Sequence, residues 1–153
     1  MLTMSQLLQI GRVGHGPFGL PPNPGVVITS GNQLMGAYRD LKKFQSVDEH
    51  YFGWHAHHIV EYQDFERLGI GGPLPSRDEQ LCVLLPERAH IGRINSVLNS
   101  QNPHGVLVTS KDLRAAYRAA YDLVGNYCGS SEEQIKRELL AVVGATFKMV
   151  GLP

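Results

Sequence analysis

Trp54-His55-Ala56-His57-His58-Ile59-Val60-Glu61 puts three of the chain's seven histidines within four positions, at the head of a short apolar run and just before a carboxylate. Neutral imidazole is the commonest protein ligand for transition metals and also titrates near neutrality. His57-His58-Ile59-Val60 reads as a short strand, and successive strand side chains point to opposite faces. One member of the His57/His58 pair can therefore hold a cation while its neighbour activates water. A third histidine follows at a distance, His90 in Leu84-Leu85-Pro86-Glu87-Arg88-Ala89-His90-Ile91-Gly92-Arg93-Ile94-Asn95. Leu81-Cys82-Val83-Leu84-Leu85 predicts a second strand, buried on both faces by its composition. Pro86 suits the first turn of a helix, where no backbone donor is needed. That helix is predicted to run to about Leu98, with His90 in its first turns. His55 shares the face of His57 without a required role, and the isolated His15, His50 and His104 read as structural or surface residues. Glu61 either orients a histidine, touches the metal, or is a solvated charge at the strand end.

Residues 1–32 read as an irregular leader, broken by Gly14-His15-Gly16-Pro17 and Leu20-Pro21-Pro22-Asn23-Pro24-Gly25, with one short strand at Val26-Val27-Ile28-Thr29. A helix is predicted over 33–44, because Leu34, Tyr38, Leu41 and Phe44 recur at helical spacing. Lys42 and Lys43 then fall near its C-terminal end, where the macrodipole favours them. Residues 69–75 and 99–106 read as loops. Further on, Thr109 or Ser110 can cap a helix whose stripe is Leu113, Ala116, Tyr117, Ala120, Tyr121 and Val124, with Gly129 ending it. Ser130-Ser131-Glu132-Glu133-Gln134 offers a capping box for a final helix over 132–149, with Ile135, Leu139, Val142, Val143 and Phe147 facing inward. These helices read as scaffold.

A chain of 153 residues, 42% of them hydrophobic, can close one domain around a real core, and 18% charged residues argue against disorder. A formal net charge of zero excludes a uniformly basic nucleic-acid coat. It leaves room for a locally positive site, to which a bound cation adds its own charge. Cys82 and Cys128 form neither CxxC nor zinc-ribbon spacing, and Cys82 reads as a buried free thiol. The opening Met1-Leu2-Thr3-Met4-Ser5 has no basic n-region or apolar core of a signal peptide, so this segment carries no export signal. No stretch approaches the ~18–20 apolar residues that cross a bilayer, which predicts no membrane insertion.

Several chemistries fail on their motifs. Nucleobase deaminases need His-x-Glu and Pro-Cys-x-x-Cys, and metalloproteases need His-Glu-x-x-His; the chain has none of these. Neither cysteine has a local charge setting that favours a thiolate, and the Gly-rich leader matches no phosphate-loop spacing. Four motifs do fall in order: Tyr38-Arg39-Asp40-Leu41, Ala56-His57-His58-Ile59-Val60-Glu61, Cys82-Val83-Leu84-Leu85 and His90. Together they resemble the HNH/endonuclease VII superfamily, in particular the toxin nucleases marked by an Ala-His-His motif, over residues 36–98.

The resemblance implies an α+β domain over residues 33–153 with a small two-stranded ββα-metal (His-Me finger) core embedded in helices. It implies a metal-dependent DNA endonuclease with one divalent cation, Mg²⁺, Mn²⁺, Ni²⁺ or Zn²⁺. Such domains are commonly the C-terminal warhead of a secreted bacterial toxin, act in the target-cell cytoplasm, and are neutralised by a cognate immunity protein. Carried over, His58 is the general base, His57 and His90 ligate the metal, and Glu61 or Gln80 supports them. Arg88 and Arg93 become candidate phosphate contacts. The base must be neutral, so activity is expected to fall as the pH drops through its pKa. Two positions depart from the pattern. Where many relatives brace the base with an Asn, this chain has Asp78-Glu79-Gln80-Leu81, and Gln80 is the substitute. The second helical ligand would fall at Ile94; Asn95 lies about 140° around an ideal helix from His90 and ligates only if the helix starts late or is distorted. The competing readings are an RNase on the same core, a non-catalytic module holding a structural metal, and an interaction domain without metal.

Overall fold

Four of the five side chains in Leu81–Leu85, from Cys82 to Leu85, have no solvent exposure at all. A strand so apolar needs cover on both faces, and the architecture supplies it. The computed structural model describes residues 25–61, 76–87, 94, 109–125 and 131–152. In chain order they form β1 (Val26–Ile28), β2 (Leu34–Ala37), α1 (Tyr38–Val47), β3 (His55–His58), β4 (Leu81–Leu85), α2 (Ser110–Tyr121) and α3 (Glu132–Met149). The strands make one antiparallel sheet in the order β1-β2-β4-β3, so β4 is central and β3 lies at an edge. The fold is α+β, as expected. Its sheet has four strands among the described residues rather than two.

Alternation along β4 sorts the core into two layers. Cys82 and Leu84 face α1 and pack with Val26, Ile28, Leu34, Leu41, Phe44 and Tyr51. Val83 and Leu85 face α2 and α3 and pack with residues such as Met35, Tyr117, Tyr121, Leu139 and Phe147. Each large side chain buried this way contributes about 2 kcal/mol. Ile94, the described residue within the helix predicted to follow Pro86, is helical and fully buried in this second layer.

The predicted helix over 33–44 is the main correction. Leu34–Ala37 is strand, and the helix runs over Tyr38–Val47. Leu34 and Tyr38 stand four apart by coincidence of a buried strand running straight into a helix, and both faces of β2 are covered, so its apolar residues show no alternation. Gly36 marks the strand: a Cβ there would stand 2.4 Å from the Gly25 carbonyl oxygen, which the β1–β2 pairing brings close. Because the helix runs on to Val47, Lys42 and Lys43 sit in mid-helix, and its last turn has no basic residue. β1 lies within the segment read as leader, yet it pairs with β2 residue for residue.

Both C-terminal helices start where the sequence places them, and α3 also ends there. Thr109 caps α2 through a reciprocal box with Asp112. α2 stops at Tyr121, short of the stop expected at Gly129, because the amides of Leu123 and Val124 bond back three residues and Gly125 takes a positive φ. Ser131 caps α3, and a Schellman turn closes it: Gly151 at φ 78° bonds to Lys148, and Leu152 to Phe147. Among the described residues, no helix is long and apolar enough to cross a membrane.

α3 also holds the β1–β2 turn. Glu138, only 2% exposed, accepts hydrogen bonds from the Thr29 hydroxyl, Ser30 Oγ at 2.9 Å, the Gly31 amide at 2.8 Å, and Nε2 of Gln33 and Gln134 at 2.7 Å each. A Cβ on Gly31 would stand 2.8 Å from the carboxylate, so a side chain there would push Glu138 out of place. Glu138→Ala should strip the acceptor from buried Thr29, Gly31 and Gln33 and destabilise the fold by about 3 kcal/mol or more. Glu138→Gln should fall between the two, as read from urea unfolding midpoints.

Candidate functional site

The edge strand β3 carries the histidines, and a buried glutamine sets its approach. Gln45, near the end of α1, donates through Nε2 to the carbonyls of Tyr51 at 2.7 Å and Trp54 at 2.5 Å. These bonds fix the turn through Gly53, at φ 86°, that delivers the chain into β3. In β3, His57 lies opposite Val83 and His58 opposite Cys82. They therefore face different layers, His57 toward α2 and His58 toward α1, as alternation predicted.

His57 is 5% exposed and sits edge-on to Tyr121. The Tyr121 hydroxyl gives its one hydrogen to the Ile59 carbonyl at 2.5 Å, so at 3.1 Å from His57 Nε2 it can only accept. These partners assign the proton of His57 to Nε2 and the lone pair to Nδ1. Burial, together with His58 and His55, pushes the imidazole down to about 4, which keeps it neutral at physiological pH. Burial likewise raises the Tyr121 phenol and the Cys82 thiol, so both stay protonated.

His58 is only half-buried. Its ring stacks on Tyr38 with centroids 5.0 Å apart and planes 16° from parallel. Its Nε2 lies 3.1 Å from the Arg77 carbonyl oxygen. A carbonyl only accepts, so Nε2 carries the hydrogen and Nδ1 again keeps the lone pair. The hold on Nε2 comes from the Arg77 main chain. Gln80 acts one step removed: its carbonyl accepts the Tyr38 amide at 3.0 Å, at the start of α1. Glu61 follows β3, half-buried, with its amide donating to the Tyr117 hydroxyl at 2.8 Å.

The structure thus brings His57, His58 and Glu61 to one end of the β3–β4 pair, with Gln80 beside it. His90, Asn95, Arg88 and Arg93 lie outside the described residues. Among the described residues no three His, Cys, Asp or Glu side chains gather as a cation site. Of the ligands the resemblance implies, His57 has at Nδ1 the lone pair that a cation needs, and His90 lies outside the described residues. Tyr38, Arg77, Tyr117 and Tyr121 were not anticipated as site residues. Tyr117 and Tyr121 had a signal, since a buried phenol needs a hydroxyl partner. A main-chain carbonyl such as that of Arg77 has none.

No family model, curated protein or solved structure matches the chain. The functional reading therefore rests on the site itself and on the motif resemblance.

The folded His57 stays neutral down to about 4, whereas in the unfolded chain it takes up a proton near 6.5. Between these values the unfolded state binds more protons. The contribution to stability is therefore complete above about 6.5 and is lost as the pH falls toward 4, by roughly 3 kcal/mol in all. Urea midpoints measured in EDTA across that window should show the fall, and His57→Gln should remove most of it. Tyr121→Phe at neutral pH should cost about 2 kcal/mol, because the Ile59 carbonyl and the His57 Nε2–H both lose their partner.

Proposed function

We propose that this domain is a metal-dependent endonuclease that hydrolyses DNA phosphodiester bonds, with His58 as the general base. The observation that carries the reading is the setting of that one imidazole. Its Nε2–H is tied to the Arg77 carbonyl and its half-exposed ring is stacked on Tyr38, while in the neutral ring the lone pair at Nδ1 has no hydrogen-bond partner among the described residues. A base prepared in this way takes a proton from water as the oxygen attacks phosphorus; the P–O3′ bond breaks and the 3′ oxygen leaves with a proton from solvent. A histidine held only for packing has no need of an ordered tautomer with an open acceptor.

His57, by contrast, faces inward and is neutral. The reading gives its Nδ1, with His90, to a divalent cation, and keeps the ββα-metal core as its finer fold. Glu61 stands at the end of the same strand, and Arg88 and Arg93 are its phosphate contacts. The motif resemblance extends the proposal to a warhead of a secreted bacterial toxin, acting in the target-cell cytoplasm and held in check by an immunity protein.

Plasmid cleavage by the purified domain with Mg²⁺, Mn²⁺, Ni²⁺ or Zn²⁺ tests the reading. Nicking should require the metal, stop with EDTA, and fall at least about 100-fold in His58→Ala, with the thermal unfolding midpoint of that variant little changed. Cleavage of RNA with the plasmid intact would move the substrate to RNA. A folded protein that cleaves neither would end the nuclease reading.

A further inference from the structure

Arg77 touches the site twice. Its main-chain carbonyl takes the His58 Nε2–H, and its guanidinium carbon lies 5.8 Å from the centroid of the Tyr38 ring on which His58 is stacked. The side chain is exposed, and among the described residues its guanidinium pairs with no carboxylate. Glu79, two residues on, reaches instead toward Arg39 at 3.9 Å. A permanent cation and a proton acceptor thus sit around one phenol ring. Tyr38 is itself anchored, because its amide bonds to the Gln80 carbonyl and opens α1. Guanidinium is suited to this place: it lies against an aromatic face and still offers a planar fork of donors to a phosphate.

We propose that Arg77 binds the backbone phosphate of the nucleic acid beside His58, and that Tyr38 is a positioning residue holding cation and imidazole in register. The ligand class, a phosphodiester, rests on the nuclease reading; the arrangement of Arg77, Tyr38 and His58 does not. Arg77 comes from the turn ahead of β4. Tyr38 acts through His58 and touches no reacting atom.

Binding is measured without turnover, in EDTA and in the full-length His58→Ala background, by anisotropy of a short fluorescein-labelled DNA duplex and its single strand. Adding Arg77→Gln should weaken binding about fivefold or more, and should make the dependence of log affinity on log salt shallower by about 1. Equal affinity and equal slope would overturn the Arg77 assignment, as would failure of the His58→Ala protein to bind either strand form. Loss of binding through Arg77 in a protein that cleaves nothing would defeat the nuclease reading and leave this one standing.

The Tyr38 role is read from Tyr38→Phe and Tyr38→Leu. The His58 Nε2–H proton signal should persist in the Phe variant, which keeps the ring, and exchange away in the Leu variant. With cleavage as a second readout, Tyr38→Leu should lower kcat about tenfold or more at unchanged KM, and Tyr38→Phe should restore it to within about twofold. A Leu variant with the wild-type signal and kcat would overturn the positioning role. So would a Phe variant that loses them, whether or not the Leu variant folds.

Discussion

A strand with no polar side chain to offer water must be covered on both faces, and most of this structure follows from covering β4. α1 closes one side and α2 with α3 the other, so residues on neighbouring strands inherit two different environments according to the face they occupy. β3 is hydrogen-bonded to β4 throughout, and it carries the histidine pair across this divide. One imidazole is drawn into an apolar layer, where charge is disfavoured. The other is left at the rim beside a tyrosine and a main-chain carbonyl. The chemical difference between two identical side chains is thus set by the parity of a strand.

Hydrogen bonding completes what parity begins. A phenol that has given its hydrogen to a carbonyl accepts from His57, and a carbonyl accepts from His58. Both rings are held with Nε2 as donor and Nδ1 as acceptor, by unrelated partners on opposite sides of the sheet. This symmetry gives the nuclease proposal its physical footing: the inner ring is kept neutral and the outer ring is kept open.

The parts that were legible in the sequence share a cause. β4, α3 and the start of α2 have boundaries written in local chemistry: five consecutive apolar residues, a Thr and a Ser at helix starts, and a stripe at regular spacing. The alternation of His57 and His58 was legible for the same reason, since it needs only a strand. What escaped depends on partners far along the chain. β2 hid inside a helical spacing because a strand buried on both faces has no period of its own. Tyr121 looked like one more apolar residue until Ile59 and His57 came within reach of its hydroxyl. The hold on His58 Nε2 lies in the backbone of Arg77, where residue type leaves no trace.

The Glu138 clamp has a consequence for how the chain is made. Its carboxylate closes a loop of 109 residues onto Thr29, so the turn between the first two strands waits for a helix near the end of the described chain. Contacts of such long sequence separation form late and slowly, and a nascent chain emerges N-terminus first. Until Glu138 has left the ribosome, the Thr29 hydroxyl and the Gly31 amide lack the carboxylate that buries them. The order of synthesis thereby sets an order of assembly: the β1–β2 turn closes only after α3 has been made.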